Sequence, residues 1–372
     1  MFGRSKEYYI SEGNAQCEAN QFEKALESYT KAIEMDRNDF SLFLTRGDVF
    51  SMLKEYNNAI SDYSEAIKNP SFSEASKKNS IFSKAYFNRS NFYCNINKFK
   101  EAIDDISEYI RHNPDDTLGY NMKASYYCRA GDWDKAINEF SSSIKKSPNF
   151  DAYYFLGTIN FDRQEYEKAL SNFTLAYNLS PNNIRICDWM GETLCLLGRV
   201  KEAEKYLISA IKQESTAFTT YNYMGAICLD KKEFKNAISY LQKAISINDE
   251  NPETHNALGW SYCKIGELEK GLSHIERAIK LGLKDSNTEK FLREAYSILT
   301  GKQPQKSIYD ELLGYSDRYG AQMFPQSVLL SASSEQLEAM KLFAEIEQNK
   351  PQRHPYEHPR FSGYYDPLAD NW

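Results

Sequence analysis

The sequence predicts an all-α protein, a solenoid assembled from stacked pairs of helices. Three observations lead to this fold class: a segment that recurs along the chain, a nearly constant spacing between its copies, and apolar residues on one helical face of each copy. The segment EFKNAISYLQKAI, residues 233–245, is one of eight such copies. Their shared fifth residue is small: Ala25, Ala59, Ala102, Ala136, Ala169, Ala203, Ala237 and Gly271.

The spacing of the copies indicates stacked structural units rather than one closed core. Successive small residues lie 33 or 34 residues apart, except for one interval of 43 residues. Ahead of most copies, a first helical stretch carries an aromatic residue, then a small residue and often a second aromatic residue, as in Phe43, Gly47 and Phe50. These spacings place the residues on one face of a helix. A hairpin with one apolar face needs neighbours, which explains why the segment recurs.

The pattern resembles the tetratricopeptide repeat family, whose 34-residue unit carries an aromatic residue, Leu-Gly, Tyr, Ala, an aromatic residue, Ala and Pro in that order. Ser90 and Ala124 depart from the usual Gly, and Gly271 departs from the usual Ala. The resemblance implies a right-handed superhelix of eight helix-turn-helix repeats whose first helices line a concave surface. The repeats are 6–39, 40–73, 83–116, 117–149, 150–183, 184–217, 218–251 and 252–285.

The chain outside the eight repeats (6–285) is predicted to contain three further segments. The long interval places a polar insertion near 74–82, which is expected to lengthen one connection. Residues 286–299 are amphipathic and are expected to form a capping helix that covers the last hairpin. Residues 300–372 form a partly irregular C-terminal extension with one helix predicted at 333–350.

Composition and motifs argue against several classes of function. The net charge of −7 and the absence of a basic stripe argue against nucleic-acid binding. The sequence has no long apolar run, so no membrane span is predicted and a cytoplasmic location is expected. It also lacks nucleotide-binding and nucleophile motifs, and Pro355 separates His354 from His358, so that they cannot form a regular helical zinc pair. We therefore expect a protein that is not an enzyme and has neither a cofactor nor a metal site.

The family resemblance also implies which residues face the concave surface. Amide side chains both donate to and accept from an extended peptide backbone, and aromatic side chains provide pockets. The alternative is that the chain is simply rich in Asn. Acidic residues outnumber basic ones at these positions, so the expected ligand is neutral or basic. The predicted groove residues are Asn14, Asn91, Asn121, Tyr154, Asp188, Glu192, Asn222, Asn256 and Trp260.

Chaperone-binding members of the family hold an acidic C-terminal tail with a clamp of Lys, Asn, Asn, Lys and Arg. Only two of the five matching positions in this chain carry the required residue, Asn14 and Lys84, and two of the three cations are missing. The resemblance therefore argues against a chaperone cofactor of that kind. The five matching positions are Ile10, Asn14, Thr45, Lys84 and Asn88.

We predict a non-catalytic adaptor or scaffold that binds a protein segment in an acidic groove lined by Asn. The partner is a protein or peptide, and the chain's own tail is a candidate because 350–360 is locally basic. Two alternatives stay open: a chaperone-type factor for client or exported proteins, and a regulatory or enzymatic role in the C-terminal extension. The sequence leaves the oligomeric state open.

Overall fold

The computed structural model describes residues 4–69, 71–72 and 80–284, together with Thr288 and Leu292. These residues contain sixteen α-helices and no strand, so the predicted all-α fold class is confirmed. They fall into two compact units, one ending at Ile159 and the other beginning at Asn160. In chain order the helices are α1 Lys6–Glu18, α2 Phe22–Met35, α3 Phe40–Met52, α4 Tyr56–Lys68, α5 Ser80–Asn95, α6 Phe99–His112, α7 Thr117–Arg129, α8 Trp133–Lys146, α9 Phe150–Asp162, α10 Tyr166–Leu179, α11 Ile184–Leu196, α12 Val200–Lys212, α13 Phe218–Asp230, α14 Phe234–Ile247, α15 Pro252–Lys264 and α16 Leu268–Lys280.

Helices that are consecutive in the chain pack against each other within each unit. In the first unit α1 packs on α2, α3 on α4, α5 on α6 and α7 on α8, and each pair also contacts the next. In the second unit α11 packs on α12, α13 on α14 and α15 on α16, with the same contacts between neighbouring pairs. This is the arrangement expected of a solenoid, in which each hairpin covers the apolar face of its neighbour.

The same tight turn joins the two helices of every pair. Its central residue adopts the left-handed conformation, and the next backbone N–H donates to the carbonyl five residues earlier, as from Glu267 to Tyr262 at 2.9 Å. This hydrogen bond satisfies a carbonyl that the end of the first helix would otherwise leave free. Asn and Gly tolerate this conformation best. The left-handed residues are Asn20, Lys54, Asn97, Gly131, Gln164, Gly198, Lys232 and Gly266.

Small residues set the distance between the two helices of a pair. The recurring Ala residues of the second helices are fully buried. Opposite them, a Cβ added to Gly191 would lie 2.4 Å from Leu207 Cδ2, and one added to Gly225 would lie 2.5 Å from Leu241 Cδ2. A side chain at either glycine would therefore displace the leucine of the second helix that packs against it.

The last repeat brings its two helices together at two glycines. A Cβ on Gly271 would lie 2.4 Å from the Sγ atom of Cys263 and 2.7 Å from the carbonyl oxygen of Gly259. This contact explains why Gly replaces the usual Ala in the eighth copy. Cys263 is fully buried, and burial raises the pKa of its thiol to about 12, so it behaves as a packing residue.

Two arginines link neighbouring repeats of the first unit. Arg46 forms a two-pronged ion pair with Asp62 of its own repeat, with both N···O distances at 2.7 Å. Its third nitrogen donates to Thr30 of the preceding repeat at 2.9 Å. Arg89 repeats this arrangement with Asp105 and Ser64. Each guanidinium group therefore connects three helices through nearly buried, charge-assisted hydrogen bonds.

The residue type at the repeat position of Arg46 and Arg89 changes along the chain. In the fourth repeat it is Lys123, which pairs with Glu139 at 2.9 Å. From the fifth repeat onward it is apolar and buried, so the later repeats are joined there by packing alone. The apolar residues at this position are Leu156, Met190, Met224 and Leu258.

The connection after α4 contains an anchor that its polar composition does not indicate. Phe72 is fully buried and meets Phe40 and Tyr86 edge to face, with ring centroids 5.6 and 5.7 Å apart. This aromatic contact fills space between the second and third repeats. The predicted insertion near 74–82 lies mostly outside the described residues, and the extension 300–372 with its helix at 333–350 lies entirely outside them. Of the predicted capping helix 286–299, the structure describes Thr288 and Leu292, both helical and fully buried.

Replacing Arg89 by Met should destabilise the protein by about 3 kcal/mol, because it leaves the carboxylate of Asp105 buried without its cation. Urea denaturation followed by circular dichroism measures the change. The double variant Arg89→Met, Asp105→Asn should recover part of the loss, since no buried charge remains. Equal losses in the single and double variants would show that the ion pair is not the cause.

Candidate functional site

The most regular polar feature of the second unit is a row of side chains at the fifth position of successive repeats. We call Asp188, Asn222 and Asn256 the fifth-position row; they lie on α11, α13 and α15. Each accepts a hydrogen bond from a threonine that lies 32 residues further along the chain. Thr254 Oγ1 donates to Asn222 Oδ1 at 2.8 Å, and Thr288 Oγ1 donates to Asn256 Oδ1 at 3.1 Å.

Asp188, the first member of the row, also accepts hydrogen bonds from hydroxyl groups, but through a carboxylate rather than an amide. Thr220 donates to Asp188, and Ser215 donates to both carboxylate oxygens at 2.9 and 3.1 Å. Thr220, like Thr254 and Thr288, is fully buried. These hydroxyl groups therefore fix the orientation of each side chain in the row. A side chain held in this way loses little conformational freedom when it binds a ligand.

Burial raises the pKa of Asp188, and the hydrogen bonds from Thr220 and Ser215 oppose that shift. Glu192 lies one turn further along α11 and is itself 7% exposed. Its negative charge raises the pKa of Asp188 further. Like charges one helical turn apart disfavour each other, so Glu192 makes the carboxyl group of Asp188 harder to ionise.

In the first unit, tyrosine hydroxyls hold the ninth position of the repeats. Tyr29 donates to Asn14 Oδ1 at 2.7 Å, and Tyr126 donates to Asn91 Oδ1 at 2.6 Å. Asp48 takes the same place in the second repeat, where Tyr63 donates to it and Asn88 Nδ2 contacts it at 3.3 Å. The acceptor oxygens at this position are thus satisfied inside the protein.

Two amide atoms of the first unit are buried and lack a hydrogen-bond partner among the described residues: Asn91 Nδ2 and Asn121 Oδ1. Asn121 stands at the fifth position of the fourth repeat, and its Nδ2 donates to Asn149 at 3.0 Å. The third position of the next repeat is Ala152, which has no hydroxyl to donate. The missing threonine therefore accounts for the unpaired oxygen of Asn121.

The structure separates the nine predicted groove residues by exposure and by unit. Asn14 is exposed, and the fifth-position row is partly exposed. The other five are buried, which leaves them little surface for a ligand. Asn14, Asn91, Asn121 and Tyr154 belong to the first unit, and Asp188, Glu192, Asn222, Asn256 and Trp260 belong to the second.

The threonines of this site were missing from the sequence prediction. Thr220 and Thr254 lie 34 residues apart, and Thr288 follows after another 34. The recurrence of Thr at one repeat position was the pattern by which the sequence could have indicated these residues. That the threonines donate to the fifth-position row follows from the contacts of α11 with α13 and of α13 with α15, which only the structure provides.

The described part of the chain contains no group of three or more His, Cys, Asp or Glu side chains arranged to hold a metal ion. The seven cysteines, all of which are described, are free thiols. Among the described helices, none has both the length and the apolar character needed to cross a membrane.

Comparison with known families agrees with the repeat architecture. One model for the tetratricopeptide repeat matches residues 10–74 and 121–184, and a second matches residues 219–251. The chain carries tetratricopeptide repeats over these ranges. Repeats of this family form all-α scaffolds that bind proteins, and the resemblance seen in the sequence is confirmed.

Two relatives and one solved structure are similar to this tetratricopeptide repeat chain. The Hsp70-Hsp90 organizing protein of Triticum aestivum is 24% identical over 235 residues, which cover 61% of this chain and 38% of that protein. The heat shock protein STI1 of Saccharomyces cerevisiae is 37% identical over 68 residues, 18% of this chain and 12% of that protein. The C-terminal part of a TPR repeat-containing protein from Cytophaga hutchinsonii is 16% identical, covers 67% of this chain and 99% of its own, and has a TM-score of 0.54.

These likenesses differ in what they support. The solved structure supports the fold alone, because its sequence identity is low. The chain spans 38% and 12% of the length of the two relatives, so it corresponds to only part of each.

Replacing Ala152 by Thr should stabilise this tetratricopeptide repeat chain by about 1 kcal/mol, because the new hydroxyl can donate to the unpaired Asn121 Oδ1. Ala152→Val is the matched control, since Val has the same shape without the hydroxyl. Thermal unfolding of both variants gives the comparison. A Thr variant no more stable than the Val variant would contradict the assignment of Asn121.

Replacing Asp188 by Asn should raise the urea midpoint at pH 7. Burial raises the pKa of the Asp188 carboxyl group, so the ionised form is disfavoured in the folded state. An Asn at this position would accept the hydrogen bond from Thr220 without carrying a charge, as Asn222 accepts the one from Thr254. The gain should shrink as the pH falls toward about 4, because Asp188 then becomes neutral. A pH-independent gain would point to packing instead.

Proposed function

We propose that this chain is a protein-interaction adaptor that binds an extended, neutral or basic protein segment along the fifth-position row. The proposal rests on the hydrogen bonds by which threonine hydroxyls fix the orientation of Asp188, Asn222 and Asn256. A regular series of fixed polar groups on adjacent helices suits a ligand that is itself regular. The backbone of an extended peptide is such a ligand.

The hydrogen bonds of the two amides define what they can offer to a ligand. Thr254 and Thr288 occupy the oxygens of Asn222 and Asn256, which leaves their Nδ2 groups as the donors directed away from those contacts. Donors of this kind match the carbonyl oxygens of a peptide. Neighbouring first helices lie about 10 Å apart and an extended chain advances about 3.3 Å per residue, so every third ligand residue would meet one member of the row.

The charge of the row sets the preferred sequence of the ligand. Asp188 is partly exposed, the hydroxyls of Ser215 and Thr220 donate to its carboxylate, and Glu192 adds negative charge beside it. A Lys or Arg side chain of the ligand at this end of the row would be attracted by the carboxylate of Asp188. The basic segment 350–360 of the chain itself has the right charge for this place.

A chaperone-related role is a second candidate, favoured by the similarity to the Hsp70-Hsp90 organizing protein of Triticum aestivum. The first unit is poorly suited to the acidic tail that chaperone-binding members of the family hold. Asn88, one of the clamp-like positions, already contacts the carboxylate of Asp48 and the hydroxyl of Tyr63 at 3.2 Å. An acidic tail would meet a like charge there. The cytoplasmic location expected from the sequence stays a prediction.

The proposal is tested by selecting binders from a random dodecapeptide library on the full chain and measuring their affinities by fluorescence anisotropy. Asn222→Asp and Asn256→Asp each keep the oxygen that accepts the threonine bond but replace the outer donor by an acceptor. Each should weaken binding about tenfold or more, because a carboxylate oxygen then faces a ligand carbonyl. Asp188→Asn should reduce the preference for Lys and Arg in the selected peptides.

Three controls separate the candidate functions. Lys235→Ala, on the exposed surface of α14, should leave peptide affinity unchanged. A chain ending at residue 300 should bind the peptides more tightly if segment 350–360 occupies the row, and equally well if it does not. Unchanged affinity in both Asp variants would rule out the row, and selection of peptides with acidic C-termini would favour the chaperone-related candidate.

A further inference from the structure

Two histidines of the eighth repeat lie against each other inside the hairpin, with their ring planes 27° apart. His255 on α15 and His274 on α16 place their Nδ1 atoms 3.2 Å apart, while the ring centroids are 5.4 Å apart. His255 is 5% exposed. The short distance between nitrogens and the longer distance between rings indicate a hydrogen bond from one imidazole to the other.

The neighbouring groups determine which nitrogen carries the proton. His255 Nε2 lies 2.9 Å from the carbonyl oxygen of Asp249, which can only accept, so Nε2 is the donor. A neutral His255 then has an unprotonated Nδ1, and His274 Nδ1–H donates to it. The pair therefore fits together in one arrangement of two neutral rings, with a single proton between the two Nδ1 atoms.

The surroundings provide little compensation for positive charge. Among the described residues, Asp249 is the carboxylate that acts on His255. It lies 3.8 Å from Arg277 of α16, whose charge disfavours a positive charge on His255. The ring of His274 stacks on Tyr262 with centroids 5.7 Å apart. Lys270 lies over the Tyr262 ring, and the uncharged Gln242 of α14 donates to the Tyr262 hydroxyl.

We propose that the His255–His274 pair makes the eighth repeat acid-sensitive, holding α15 and α16 together near neutral pH and loosening them as the pH falls. A first added proton places a buried cation next to Arg277. A second proton turns the acceptor Nδ1 of His255 into a donor that faces another donor, which abolishes the hydrogen bond. If the proposed function holds, acidification would also release a segment bound at Asn256, which lies on α15.

The direction of the pH effect follows from the same geometry. Burial lowers the pKa of both histidines, and the neighbouring ring contributes at His274, whose pKa is lowered to about 4. An unfolded histidine titrates near 6.5, so the opened hairpin takes up protons that the closed hairpin excludes. The stabilisation is therefore complete above about pH 6.5 and is lost progressively toward pH 4.

The preceding repeat provides a natural reference that lacks the effect. The positions of His255 and His274 are occupied there by Tyr221 and Tyr240, which stay neutral throughout this pH range. Peptides from α13 and α14 therefore serve as an internal control. The double variant His255→Tyr, His274→Tyr copies a pair that this chain already accommodates in an equivalent hairpin.

Amide hydrogen exchange of the full chain, read by mass spectrometry and corrected for the intrinsic effect of pH, tests the proposal. Between pH 7.5 and 5.0 the protection of α15 and α16 should fall roughly thirtyfold from His274 alone, given its pKa of about 4 against 6.5 when unfolded. Protection of α13 and α14 should fall much less. The double Tyr variant should keep its protection in α15 and α16 at both pH values.

A second variant covers the case in which the two tyrosines do not fit. His274→Gln stays neutral and keeps an N–H that can donate to His255, so it should reduce the pH response while preserving the hairpin at pH 7.5. Equal protection of the wild-type α15 and α16 at both pH values would overturn the proposal. So would a pH response that persists in both the Gln and the double Tyr variants, because carboxylates elsewhere would then be responsible.

Discussion

Close contact between the two helices of each hairpin is the constraint on which the rest of this protein depends. The fully buried alanines of the second helices and the glycines facing them allow that contact, and in the last repeat Gly259 and Gly271 bring backbone against backbone. A larger side chain at these places would separate the helices and shift every contact with the next repeat. Each repeat contacts only its neighbours, so a defect in one hairpin acts directly on the repeats beside it.

The two halves of the chain connect their repeats by different means. Arg46 and Arg89 hold three helices each through buried ion pairs, whereas the later repeats carry buried apolar residues at the same position and hydroxyl bonds between first helices. Buried ion pairs demand exact partners and tolerate substitution poorly, while apolar contacts tolerate a change of shape. The fifth-position row lies in the half whose repeats are joined by packing and hydroxyl bonds.

Much of the fold could be predicted from the sequence, because a fixed period and one-sided apolar residues leave few alternatives to stacked hairpins. The candidate site was harder to predict. Repeat position alone grouped Asn222 and Asn256 with Asn91 and Trp260, yet the first two are partly exposed and the others are buried. Exposure depends on how neighbouring first helices pack, and the period alone does not specify that packing.

The threonine bonds have a consequence for where this chain can be divided. Each member of the fifth-position row takes its orientation from a threonine beyond the end of its own repeat, so the row does not end where the repeats end in sequence. A fragment that stops at Lys284 would contain all of Asn256 but not Thr288, and its terminal amide would swing freely. Expression fragments should therefore extend past Leu292, even though the eighth hairpin itself is complete at Lys280.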